Sequence, residues 1–263
     1  MTTRNAIPAI IPAYRNPDAL ARCLDHLSSQ TWPVIPHVID NSENNRLYTL
    51  AINEGLKQFL NHPCEHFLVL NQDMFLAADA VAEMVRLMEL RRDTGIIMPL
   101  HLDPDDPRQV TCGGTEDAFP LGLHYLGPID AFSEDRELPW ANGAALLLRK
   151  EMVRDIGLLD ASMRFFCSDV DYSFTARARG WKVWLSVKAR GFHKPNASMK
   201  TEVSSLELVK CDDIIALADK WLTGDLYRRL ASEGATLTPQ FLADKMSELR
   251  RMREEIRQKL DRL

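Results

Sequence analysis

No run of apolar residues in the sequence approaches the roughly 20 needed to cross a bilayer. Behind Met1-Thr2-Thr3-Arg4-Asn5 there is also no apolar segment of the about 7 to 15 residues that a secretory signal requires. Both absences predict a cytoplasmic protein without a transmembrane segment, at most peripheral to the inner face of a membrane. An excess of basic charge is missing too. With 32 Lys and Arg against 37 Asp and Glu the formal net charge is -5, which argues against nucleic acid as a partner. Cysteine is sparse: Cys23, Cys64, Cys112, Cys167 and Cys211 stand singly, without disulfide parity or the pairing of a zinc site, and read as reduced thiols.

What is present is apolar residue in strand-length and helix-length patterns. Hydrophobic residues make up 46% of the 263, ample for the core of one large or two small domains. Phe67 to Leu70 is a continuous apolar run, the pattern of a strand covered on both faces, and it ends in the polar corner Asn71-Gln72-Asp73. An acid just beyond the carboxyl end of such a strand lies where open α/β sheets bind ligands. Upstream, Ile7 to Arg15 reads as a first strand broken by Pro12. Asn16-Pro17-Asp18 then caps a helix with Leu20, Cys23, Leu24 and Leu27 on one face. Val34 to Ile39 is a second strand that ends in Asp40-Asn41-Ser42, and Ala51 to Leu60 is a second helix.

A helix from about Ala77 to Arg92 follows, then a strand at Gly95 to Met98 and a weakly patterned segment from Pro99 to Pro139 of the kind that forms binding loops. Leu146 to Leu148 is another buried strand, and Arg149 to Ile156 a short helix stopped by Gly157. Asp169-Val170-Asp171 opens a helix that Gly180 ends, Trp181 to Leu185 is the next strand, and Gly191-Phe192-His193-Lys194 closes the core. Strands alternating with helices predict βαβ units in a doubly wound, mostly parallel sheet with helices on both faces. Asp40 and Asp73 would then face one crevice. Taken singly these residues have plainer readings: Asp40 as a turn former, Asp169 and Asp171 as first-turn acids, His193 as a strand-end histidine. Trp140 and Asn142 suit an acceptor site, and Trp140 equally suits a core.

Val38-Ile39-Asp40-Asn41-Ser42, Leu70-Asn71-Gln72-Asp73, Gly143-Ala144-Ala145 through Arg149, Gly157 to Asp160, Asp169-Val170-Asp171 with Gly180-Trp181, and His193 occur in one order. Together they resemble the successive motifs of family 2 glycosyltransferases, and within them the rhamnosyltransferase-like branch, over Ile7 to Pro195. The resemblance implies a GT-A fold, with the catalytic domain at 1–200 and a helical extension at 201–263. It implies inverting transfer of a sugar from a nucleotide diphosphate, UDP- or dTDP-linked, to a hydroxyl on a glycan or lipid-linked glycan, in surface glycan or polysaccharide assembly. On it, Pro12, Ala13 and Tyr14 border the base, Asp40 faces the base or ribose, and Asn71 and Asp73 belong to the donor corner. Asp73 and His193 hold a divalent cation, Mn²⁺ or Mg²⁺. Asp169 is the catalytic base, and Asp171 lies toward the acceptor with Trp140 and Asn142.

Two positions depart from the pattern. Asn71 stands where the first acid of Asp-x-Asp is usual, and Ser168 where an acid precedes the base. These thinned motifs keep open a second class, a nucleotide-sugar-binding module of the same fold without turnover. One carboxylate is nonetheless sufficient in principle, because Mg²⁺ typically takes one or two protein carboxylates plus phosphate oxygens and water, and a histidine favours Mn²⁺. A hydroxyl nucleophile needs a carboxylate within hydrogen-bond reach, the task of Asp169.

The tail differs in pattern. Leu206 to Trp221 is helical, and Thr238-Pro239 reads as a cap with proline at the first helical position. Leu242, Met246, Leu249, Ile256, Leu260 and Leu263 form a stripe interrupted by Arg253. Packing on the same subunit, a homo-oligomer contact and a membrane-surface helix compete for it. With seven Lys or Arg and five Asp or Glu over 238–263, the mixed charge disfavours the membrane.

Overall fold

A computed structural model of the chain describes residues 5–116, 123–194, 203–221 and 238–262. The first half alternates as the periodicities require: β1 (Ile7–Ala13), α1 (Pro17–Ser28), β2 (Val34–Asp40), α2 (Leu47–Phe59), β3 (His66–Leu70), β4 (Phe75–Leu76), α3 (Ala80–Leu90) and β5 (Thr94–Leu102). Then come the short strands β6 (Gln109–Cys112), β7 (Thr115–Glu116), β8 (Leu123–His124), β9 (Gly127–Pro128) and β10 (Arg136–Glu137). The chain returns to the sheet with β11 (Ala145–Arg149), α4 (Lys150–Ile156), α5 (Ser168–Ala178) and β12 (Lys182–Phe192), and ends in α6 (Val203–Trp221) and α7 (Pro239–Leu260). Among the described residues no helix is long and apolar enough to cross a membrane.

The main path of the sheet runs β10-β12-β5-β11-β3-β1-β2. β1 pairs in parallel with β2 and β3, and β12 pairs in parallel with β5. β11 is antiparallel to both of its neighbours, β3 and β5. That reversal places the start of β11 beside the carboxyl end of β3, and it builds the site.

Continuous apolar runs arise because both faces are covered. Ile10, Val69, Ile96, Met98 and Leu148 point to the side packed by α2, α4 and α5, where Ile52, Leu56, Met152 and Tyr172 lie. Their alternating neighbours Ile11, Leu68, Leu70, Ile97 and Leu147 point to the side of α1 and α3, with Cys23, Leu27, Met84 and Met88. The α2 side is packed so closely that a Cβ on Gly55 would lie 2.5 Å from the Ile10 side chain, so only glycine fits there. All five cysteines are buried and free.

Four local expectations change. β1 runs through Pro12 to Ala13; its pairing with β3 covers only Ala9 and Ile10, so the missing N–H falls where that partner has ended. α2 begins four residues before Ala51, which brings Tyr48 and Thr49 into its first turn. β12 continues past Leu185 to Phe192 through a register shift between Ser186 and Arg190, because β5 extends beside it to Leu102. The segment expected as loops carries β6 to β10, which short-range patterns conceal because their pairing is with β5, β12 and one another.

The caps expected at Asn16 and Thr238 form: Asn16 Oδ1 accepts from the Ala19 N–H at 3.2 Å, and Thr238 Oγ1 from the Phe241 N–H at 3.1 Å. Part of the tail stripe packs within the chain: Leu249 of α7, with Met246 beside it, joins Ile214, Ile215 and Leu217 of α6 in a cluster with Trp140, Met163, Val170 and Phe174. Arg253, which interrupts the stripe, faces Asp212 of α6 at 3.6 Å. The expected domain boundary at 200 lies outside the described residues.

Candidate functional site

The carboxyl ends of the strands are joined into one hydrogen-bonded rim. At its first corner the Asn41 N–H donates to the Ala13 carbonyl at 2.8 Å, tying the end of β2 to β1. Asp40 is exposed, and its carboxylate closes a turn by accepting from the Ser42 N–H at 2.8 Å. Those bonds to Ser42 hold its pKa below the ordinary carboxylate value. The Arg15 N–H in turn donates to Ser42 Oγ at 3.2 Å, and the Arg15 guanidinium lies 5.0 Å over the Tyr14 ring.

Next, β1 is clamped to the corner after β3. The Tyr14 N–H donates to Gln72 Oε1 at 3.0 Å and Gln72 Nε2 returns a bond to the Tyr14 carbonyl at 2.9 Å. The middle residue of Asn71-Gln72-Asp73 is thus a buried brace. Nothing in the sequence pattern marks it, because only the pairing of β1 with β3 gives the amide a backbone to grip.

His193 reaches this corner through β4, whose Phe75 pairs antiparallel with Phe192, one residue before it. His193 Nε2 then lies 3.6 Å from Asp73 Oδ1. Edge-on to the His193 ring, at 6.0 Å between centroids, is His101, only 1% exposed and with a buried Nε2 that has no hydrogen-bond partner among the described residues. Burial, with His193 and His124 as like charges, keeps His101 neutral. Among the described residues no group of three or more His, Cys, Asp or Glu is placed to hold a metal ion.

The rim continues into β11. The Asn71 N–H donates to the Ala144 carbonyl at 2.9 Å, and Asn142 Oδ1 accepts from the Ala144 N–H at 3.0 Å. One residue back, the Gly143 N–H donates to Asp169 Oδ2 at 2.8 Å, while Asp169 Oδ1 accepts from the Val170 N–H at 2.9 Å. Asp169 is enclosed by protein yet keeps part of its surface open. Burial raises its pKa, opposed by those two N–H bonds and by His124. Two consecutive residues, Gly143 and Ala144, therefore span from Asp169 to the Asp73 corner.

His124 was missed by the sequence pattern. It bonds Asn142 at 3.2 Å and its ring lies 5.6 Å from that of Trp140. Burial lowers its pKa, while the Asp169 charge raises it and the His193 charge lowers it. It occupies a two-stranded sheet made by β7 and β8, whose pairing no short-range period announces.

Two expected acceptor residues are engaged elsewhere. Trp140 is 3% exposed, its indole N–H donates to the Glu116 carbonyl at 3.3 Å, and it belongs to the cluster shared with α6, so no ring face is open for a sugar to stack on. Asp171 is 1% exposed and holds α6 through Trp221 Nε1 at 2.7 Å and Lys220 Nζ at 2.8 Å. Lys220 also meets Asp160 at 2.9 Å. Burial pushes the Asp160 pKa up, but bonds from Ser162 and Lys220 outweigh it and bring it to about 2. Ser168, in place of an acid, is buried. Pro12, Ala13 and Tyr14 line the rim at the end of β1, as their position requires.

No family model matches the sequence, and no curated protein matches it. Solved structures do. GalNAc-T7 crystallised with UDP, GalNAc and Mn²⁺ is similar over 98% of this chain and 55% of that one, at 13% identity and a TM-score of 0.61. TarS of S. aureus is similar over 90% of this chain and 44% of that one, at 11% identity and a TM-score of 0.58. A shorter form of TarS, 1–349, gives 84% and 67%, with 11% identity and a TM-score of 0.57. The fold is GT-A. The chain spans about half the length of GalNAc-T7 and of the longer TarS, and at these identities the likeness is one of fold.

Proposed function

We propose that the protein is an inverting glycosyltransferase that moves a sugar from a nucleotide diphosphate to a hydroxyl of a glycan or lipid-linked glycan. The observation that carries this reading is the rim: Gly143 holds the Asp169 carboxylate while the adjacent Ala144 holds the corner that bears Asp73 and His193. A base and a phosphate-binding corner are thereby set at fixed positions on either side of one short backbone segment. Single displacement needs that layout, because the acceptor oxygen attacks opposite the departing diphosphate.

The donor set at Asp73 and His193 fits a divalent cation. Two ligands about 2.1 Å from one ion and about 90–120° apart lie about 3.0–3.6 Å from each other, and the 3.6 Å between Asp73 Oδ1 and His193 Nε2 is at the upper end of that range. Imidazole beside carboxylate suits Mn²⁺ better than Mg²⁺, and the remaining positions would go to diphosphate oxygens and water. When bound, the cation would supply charge neutralisation for the leaving diphosphate. Pro12, Ala13 and Tyr14 would border the base, with Asp40 toward the base or ribose. Asp169 would take the acceptor proton on a lone pair left over on an oxygen that accepts a single N–H bond, helped by a pKa that burial raises. Trp140 and Asp171 we assign to supporting roles, and His124 with Asn142 to the acceptor side.

The family resemblance implies UDP- or dTDP-linked hexoses or deoxyhexoses as the donors to try first, and surface glycan assembly as the setting. The test is titration calorimetry of UDP and dTDP in Mn²⁺ and in EDTA, with release of the diphosphate from the matching sugar donors as the turnover readout. Asp73→Ala is expected to weaken binding in Mn²⁺ by about tenfold or more, about 1.4 kcal/mol, and to leave binding in EDTA little changed. Equal loss in both media would make Asp73 structural. Binding without any turnover, with or without acceptors, would instead identify a nucleotide-sugar-binding module.

A further inference from the structure

We propose that Tyr48 is a positioning residue for the base: its phenol fixes the Gly143 backbone from one side so that the Gly143 N–H is held on the Asp169 carboxylate from the other. The inference rests on the reading of Asp169 as base and extends it to a residue that no motif names.

Tyr48 Oη donates to the Gly143 carbonyl at 2.8 Å, and the Gly143 N–H donates to Asp169 Oδ2, also at 2.8 Å. The two bonds grip the peptide units on either side of one Cα. A Cβ on Gly143 would lie 3.0 Å from Tyr48 Oη, 3.1 Å from Asp169 Cβ and 3.2 Å from Asp169 Oδ2, so a side chain there would push Tyr48 or Asp169 aside by a few tenths of an ångström. The neighbouring backbone is equally committed, since Ala144 bonds Asn142 through its N–H and Asn71 through its carbonyl.

Tyr48 is itself held firmly. It follows Leu47, which has a positive φ of 60°, and the next residues of α2 stitch the helix to the segment leading into α5. The Thr49 N–H donates to the Arg164 carbonyl at 3.0 Å, and Asn53 exchanges bonds with the Leu159 backbone at 2.8 and 3.0 Å. One helix thus references both structures that frame Asp169: the start of β11 and the approach to α5. Losing the hydroxyl should let the Gly143 peptide drift from the carboxylate, a small displacement of the kind that costs rate far more than it costs binding.

Among the described residues, the ionisable groups that feel the Asp169 charge are Tyr48 from α2, His124 from β8, Cys112 from β6 and Cys167 ahead of α5. Of these only Tyr48 is changed in the experiment. The Asp169 carboxyl is followed by ¹³C NMR against pH, its resonance assigned by its absence in Asp169→Asn. Because the Gly143 N–H favours the ionised form, Tyr48→Phe is expected to raise the Asp169 midpoint by about half a pH unit or more. Tyr172→Phe is the matched control: Tyr172 also donates a buried hydroxyl to a glycine carbonyl, that of Gly157 at 2.9 Å, and it lies on the same helix as Asp169. It should lose comparable thermal stability and leave the midpoint unmoved.

In turnover of the nucleotide sugar chosen by the calorimetry, Tyr48→Phe should lower kcat about tenfold with KM for the donor within about twofold. An unmoved midpoint in Tyr48→Phe, or equal movement in both variants, overturns the proposal. A wild-type protein that turns over no nucleotide sugar would overturn the transferase reading alone, and the titration, which needs no substrate, would still decide whether Tyr48 positions Asp169.

Discussion

At the β2 corner Asp40 is exposed, spends one oxygen on a turn with Ser42 and has its pKa drawn down by that turn. At the β11 corner Asp169 is enclosed, bonded by two backbone N–H groups, and has its pKa pushed up by burial. The two acids stand at opposite ends of one rim, yet water reaches the first and protein surrounds the second. An exposed carboxylate can recognise a hydroxyl by a hydrogen bond but has little power as a base. A carboxylate deprived of water holds a proton more readily, and the fold has to stabilise its charge with N–H groups aimed in advance.

The sharpest way to break this contrast is Asp169→Asn, nearly isosteric and unable to take a proton. Transfer is expected to fall about 10²-fold or more while donor affinity stays within a few fold, measured by product formation and calorimetry. Near-normal transfer would remove the distinction between the corners. The enclosed corner is also backed by the cluster in which α7 contributes Leu249, 7% exposed. Leu249→Ala should cost about 2–3 kcal/mol, seen as a fall in Tm of about 4–10 °C. An unchanged melt would mean that α7 contributes nothing to that backing.

A third measurement turns on the sign of the Asp169 shift. Its folded pKa lies above its unfolded value, so the folded state binds the extra proton. The contribution to stability is then full below the unfolded value near 3.8 and is lost as pH rises through the folded pKa. Asp169→Asn removes a charge the fold would rather not bury, so its Tm at pH 7 should exceed wild type by about 2 °C or more, and the gain should vanish toward pH 3. A loss of stability at pH 7 would mean that the two N–H bonds outweigh burial. The smallest effect belongs to the open corner. Asp40→Ala should leave Tm within about a degree and weaken nucleotide binding by about three- to tenfold, the range of one hydrogen bond.

The residues we propose to carry chemistry were placed by the sequence where chemistry demands a residue type at a chain landmark. Asp40, Asp73 and Asp169 each stand at a strand end or helix start, and their place there follows from apolar periodicity and cap signals alone. Those signals also delivered α1 with its Asn16 cap and the doubly covered strand β3. Trp140 and Asp171 show where such reading stops. Whether a tryptophan packs or stacks, and whether an acid faces a cleft or a lysine, depends on α6 arriving from later in the chain.

By itself the sequence determined the alternation of strands and helices, because burial on both faces of a sheet writes itself into every residue of the central strands. It also determined which acids end those strands, since turn and cap chemistry is local. Only the tertiary structure decided that β11 runs antiparallel between β3 and β5, that Gln72 braces Tyr14, that His124 meets Asn142, and that Tyr48 reaches Gly143 from a helix 95 residues away in sequence. Each of these is a contact between residues far apart in the chain. Its energy depends on distances of about 3 Å that no local pattern encodes, and it comes into being only when the sheet has closed.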